Sequence, residues 1–124
     1  MKPRILTGMV AGILLLASSA AHAFLGWPPF AKALAQLGAD SDVTGGLQMG
    51  WMWGSATLFG CGLIVVFAAI GRWRGRPFDP VPSRIVAGCL LAFGIGAFLA
   101  RDFNPHFLLF IVLGVLVRFF AAGE

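Results

Sequence analysis

Two imidazoles, a carboxylate, a guanidinium, an amide and an indole are the groups of this chain whose types could do chemistry together. They belong to His22, His106, Asp102, Arg101, Gln48 and Trp51, which all fall near the same ends of apolar runs. Two histidines with Asp102 as an oxygen donor could ligate a metal or a haem. The adjacent opposite charges of Arg101 and Asp102, beside an amide and an indole, could instead hold a lipid headgroup or a small ligand. The histidines share no ligand spacing, so ligand binding stands ahead of metal, and no cofactor is expected. The plain alternative is two histidines that meet water at a membrane interface and do nothing more.

Other chemistry finds little support. An enzyme needs a nucleophile with its base, a metal or a cofactor motif, and none stands out beyond this sparse cluster. Cys61 and Cys89 form no CxxC pair and no zinc spacing. Counted from Arg72 and Arg84, they lie at depths about 9 Å apart on upright helices, whereas a disulfide needs Cα atoms within ~7 Å. Both read as small buried filler.

The elements that position these residues are membrane helices. Of 124 residues, 59% are hydrophobic and 11% charged, with a mean hydropathy of +0.90, more apolar surface than a soluble domain of this size can hide. The expected fold is all-α, an integral membrane bundle of four transmembrane helices over residues 5–25, 49–70, 85–100 and 107–122. Between the first two, Pro28-Pro29 should end one helix, and a short interfacial helix should follow over 30–37, capped by Gly38 and lying on the outer surface. The last two spans have 16 residues each, about 24 Å, short of a ~30 Å hydrocarbon core. That shortfall would draw the turn Arg101 to His106 below the outer surface.

The N-terminal run supports two readings. "MKPR", an apolar stretch and Ala21-His22-Ala23 satisfy the pattern of a cleavable secretory signal, which would leave three spans. The stretch is 21 residues long, more than the ~7–15 of a signal's apolar region, which favours a retained helix. Lys2, Arg4, Arg72, Arg74, Arg76, Arg84 and Arg118 fall on one side and Lys32 and Arg101 on the other. Seven against two predicts both termini in the cytoplasm. These cations flank apolar runs and make no patch interleaved with aromatics, so nucleic acid is not an expected partner.

"GWPPFAKALAQLG", "GWMWGS" and "NPHFLLFIVLG", in this order and at these intervals, resemble a group of small bacterial multi-helix inner-membrane proteins without assigned activity. The resemblance covers residues from about 26 to 114. It implies a helical bundle in a bacterial inner membrane and nothing about activity.

Small residues should set the packing. Gly50, Gly54, Thr57, Cys61 and Ala68 share a narrow face of the second span, while Gln48, Ser55 and Gly62, spaced by sevens, fall nearly opposite. Gly8 and Gly12 in the first span, and Gly88, Ala92, Gly96 and Ala100 in the third, offer matching surfaces. Trp51 and Trp53 at one boundary and Trp73 at the other fit aromatic belts. Small four-helix exporters carry an acid inside the membrane, yet Asp40, Asp42, Asp79, Asp102 and Glu124 all sit in loops, turns or the tail. The function expected is that of a non-catalytic membrane protein that packs with itself or a partner protein, or binds a membrane lipid or small ligand at its outer face. An oligomeric transporter or pore is one alternative, and a metal or haem protein using His22 and His106 another.

Overall fold

The computed structural model describes residues 2 to 122, and Glu124 of the tail lies outside them. The described chain is helical: α1 (Pro3–Ala21), a π turn (His22–Gly26), α2 (Trp27–Gln36), α3 (Ser41–Trp73), α4 (Val81–Ala100), a 3-10 turn (Pro105–Phe107) and α5 (Leu108–Phe120). Three helices, Pro3–Gln36, Ser41–Trp73 and Val81–Ala100, are long and apolar enough to cross a membrane, and the fourth, Pro105–Phe120, is shorter.

The first helix does not end at Pro28-Pro29, which corrects the expectation of a separate interfacial helix over 30–37. Two prolines lack N–H donors, and in a regular α-helix their rings would press on the carbonyls of Phe24 and Leu25. The chain widens into the π turn just before them, which moves those carbonyls aside, and α2 continues the same helix. It stops where Gly38 turns left-handed at φ 69°. There the Ala39 N–H donates to the Leu34 carbonyl at 3.1 Å, a helix-ending bond that glycine's missing side chain permits.

α3 then starts on an Asp40 cap, whose carboxylate accepts from the Asp42 N–H at 2.8 Å. At 33 residues it is about 50 Å long, well beyond the 49–70 expected of it and beyond a ~30 Å membrane core. The stretch from Ser41 to Gln48 extends the helix, its Asp40 cap and the continuous run into the apolar span offsetting the weak formers from Ser41 to Gly46. α4 is likewise longer than 85–100, since Pro82 fits a first-turn position and Asp79 accepts from the Val81 N–H at 2.9 Å. At 20 residues it reaches ~30 Å, so α4 is not short and nothing in it pulls the following turn inward.

Packing runs α3, α1, α5, α4 across the bundle, with α3 and α4 barely touching. α1 therefore sits at the centre. Ala11 and Leu15 from α1, Val65 and Ala69 from α3, Val86 and Leu90 from α4, and Leu113 and Phe120 from α5 form one buried core. The close α1–α3 contact uses the Ser55–Gly62 face of α3, where a Cβ at Gly62 would meet Leu16 at 2.8 Å. On the other small face of α3, Cys61 and Ala68 pack against the core, while Gly50 has nothing within 4 Å and Thr57 is exposed. On α4, Gly88 and Gly96 have nothing within 4 Å and Ala92 is exposed. At the basic end, three arginines converge on carbonyls at and just past the end of α5. Arg72 donates to Phe120 at 3.0 Å, Arg84 to Ala121 at 3.3 Å and Arg4 to Ala122 at 3.2 Å. The Phe120 and Ala121 carbonyls are orphans at the end and cap of α5 and Ala122 follows them, all at the helix's negative dipole end, so cations are favoured there.

Candidate functional site

The π turn places His22 against α3, two turns from the prolines that impose it. Its imidazole stacks on Trp51 with ring centroids 4.2 Å apart and planes 9° from parallel. The Trp51 indole N–H donates to the His22 carbonyl at 2.7 Å. A carbonyl has two lone pairs, and the loosened ladder of a π turn leaves room for a side-chain donor to reach one. Phe30 stacks on the same indole at 5.3 Å and Trp27 tilts toward it at 5.9 Å. Gly26 is required for that approach, since a Cβ there would lie 2.8 Å from the Trp51 ring.

Two serines complete the cluster. The Ser19 hydroxyl donates to the Ser55 carbonyl at 2.8 Å, and the Ser55 hydroxyl donates to the Trp51 carbonyl at 3.2 Å. His22 Nδ1 stands 2.8 Å from Ser55 Oγ. Both serines are buried, so these bonds replace water that the packed helices exclude.

Beside this cluster lies a slot of about 380 Å³ in the gap between α3 and α4, within the ~300–1,000 Å³ range of small-molecule pockets. His22 stands on its wall with Trp53, Gly54, Thr57 and Cys61 of α3. Cys89 and Phe93 of α4 and Phe110 of α5 form the other side. Among the described residues, no lysine, arginine, aspartate or glutamate lines it.

The six residues singled out from sequence divide. His22 and Trp51 are in contact. Gln48 is half-buried one turn before Trp51 on α3, and its side chain makes no hydrogen bond among the described residues. Arg101, Asp102 and His106 are exposed in a turn whose 3-10 segment packs on α4 and α5. Asp102 and Phe103 are held left-handed, at φ 51° and 59°, and the Asn104 carboxamide accepts from the His106 N–H at 3.0 Å. The His106 ring lies edge-on to Phe107 and to Phe110, and Phe110 also lines the slot on whose wall His22 stands; among the described residues no hydrogen bond joins the two histidines. Among the described residues no group of three His, Cys, Asp or Glu side chains could hold a metal ion.

Ser19 and the shared slot were not foreseen. Ser19 on α1 and His22 at the start of the π turn sit three residues apart, and Ser55 falls on the face with Gly62; that pairing of polar spots was the available signal. Cys61 and Cys89 are free thiols that line one slot despite the difference in depth expected for upright helices. No protein-family model matches this chain, and no curated protein or solved structure does either.

Proposed function

We propose that this chain is a non-catalytic integral membrane protein that holds a membrane-soluble ligand in the slot between α3 and α4. The carrying observation is the slot itself: an uncharged cavity with one imidazole on its wall, left where two long apolar helices fail to close on each other. In a bilayer such an opening is reached from the lipid phase, which makes the ligand a membrane component.

The setting is a bacterial inner membrane, as the resemblance implies, with four spans and both termini in the cytoplasm. The seven-to-two distribution of cations supports that orientation. So does the gathering of Arg4, Arg72 and Arg84 at one end of the bundle. The slot then lies toward the outer half. Retention of the first helix is supported by its place in the core, since cleavage after Ala23 would remove Ala11 and Leu15 from the centre of the packing. The open small residues Gly50 on α3, and Gly88, Ala92 and Gly96 on α4, are where a second copy or a partner helix would be admitted.

The test is recovery of the ligand. Protein extracted from its native membrane into polymer-bounded nanodiscs and then exchanged into detergent should retain one lipid species in stoichiometric amount, read by mass spectrometry. Gly54→Leu, which fills the slot, should lower that amount several-fold. A Gly54 Cβ meets only His22, at 3.7 Å, so the start of the new side chain is accommodated. No retained species in either protein would remove the ligand-holding reading.

A further inference from the structure

The hydrogen bonds around Ser55 define what the slot can accept. A serine hydroxyl has one proton. Two geometries compete for it here, toward the Trp51 carbonyl at 3.2 Å and toward His22 Nδ1 at 2.8 Å. Both contacts are hydrogen bonds only if Nδ1 carries its own proton and donates to Ser55 Oγ, while Ser55 donates to Trp51. With the proton on Nε2 instead, one of the two contacts would pair acceptor with acceptor.

A neutral imidazole with Nδ1–H has a bare lone pair on Nε2. His22 makes no other side-chain hydrogen bond among the described residues. Its ring lines the slot beside Gly54, with Cε1, the carbon between the two ring nitrogens, 3.7 Å from where a Gly54 Cβ would lie, so a lone pair on the adjoining Nε2 favours a donor among the slot's occupants. The remaining polar groups fit the same partner. The Thr57 hydroxyl is committed to the Trp53 carbonyl at 2.9 Å, and the indole N–H of the exposed Trp53 is a donor. With no charged side chain in the lining, an ionic headgroup would be left uncompensated in a low-dielectric space.

We propose that the slot takes a neutral lipid bearing a hydroxyl, of the isoprenoid alcohol or phenol type, whose O–H donates to His22 Nε2 while its tail runs along Phe93 and Phe110. This rests on the reading of the slot as a ligand site and adds the chemistry of the head. A hydroxyl donates and accepts, so it serves His22 and Trp53 alike; an ether or ester oxygen accepts only and leaves the imidazole unmatched.

The experiment uses the full chain in lipid nanodiscs with a diazirine analogue of farnesol, irradiated and mapped by peptide mass spectrometry. Labels are expected within residues 53–61 and 89–93. Free farnesol should compete, and farnesyl methyl ether, which lacks the O–H, should compete about tenfold less well, the effect of leaving the imidazole acceptor unpaired once the slot is filled. His22→Phe keeps a ring against Trp51 and should abolish the difference between alcohol and ether. Gly54→Leu, checked for native helicity by circular dichroism, should abolish labelling altogether. Equal competition by alcohol and ether would overturn donation to His22 while leaving the slot a ligand site. Recovery of a phospholipid acyl chain as the retained species would overturn the hydroxyl-lipid assignment in the same way. Labelling spread over all exposed helix faces and unaffected by Gly54→Leu would overturn both.

Discussion

Trp51 does more than anchor a helix at a membrane boundary. Its indole is pressed between His22 and Phe30 and donates to a carbonyl in the neighbouring helix's π turn. An aromatic-belt role accounts for an indole at this level but not for a hydrogen bond to a specific backbone atom. The distinction is measurable. Trp51→Phe keeps most of the stacking area and removes the donor, leaving a carbonyl in a half-buried setting without its partner. The expected cost is about 1–3 kcal/mol, read as a lowered thermal midpoint in detergent. Trp53→Phe, at a side chain 75% exposed, should change the midpoint little. Similar losses for both would mean that the bond to His22 contributes nothing.

At the scale of the element, local rules carried most of the fold and failed where a neighbouring helix intervened. Apolar run lengths and caps at Gly38, Asp40 and Asn104 are written in a few adjacent residues, and so the order of helices was legible. Pro28-Pro29 also reads locally as a stop, yet the helix continues, because the π turn that bypasses both prolines is steadied by Trp51 from α3. No local pattern contains that contact. The small faces of α3 show the same limit. Both were visible, but which one meets α1 depends on where Leu16, Val66 and Gly12 stand in space. A Cβ at Gly12 would lie 3.0 Å from the Val66 backbone nitrogen, which cannot move without shifting the helix. Gly12→Ala should therefore cost about 1–3 kcal/mol. Gly50→Ala, with nothing within 4 Å, should be neutral or stabilising by up to ~1 kcal/mol through helix propensity. Chemical denaturation of purified protein ranks the two, and a larger loss at Gly50 would place the working interface on the open face.

For the whole molecule, the central position of α1 sets the strongest constraint. Ile5, Ala11 and Leu15 are buried, and Gly8 lies so close to Phe120 that a Cβ there would meet its ring. Removing the segment before Phe24 would strip α5 of its inner neighbour and α3 of the partner that covers Ser55, Gly62 and Val65. It would also remove Arg4 from the Ala122 carbonyl and His22 from the slot. The pattern that reads as a signal peptide is thus also a pattern that a central helix can carry, since a basic start, an apolar run and small residues serve both. Intact mass of the protein from its native membrane decides between them. A chain beginning at the first residues is expected, with a reporter fused after Arg76 facing the cytoplasm and one placed between Ala31 and Asp42 facing the opposite side. A mature chain beginning at Phe24 would leave a three-helix protein without its core helix. The arrangement of α3, α4 and α5 would then have to differ, and the slot with His22 on its wall would not exist in the cell.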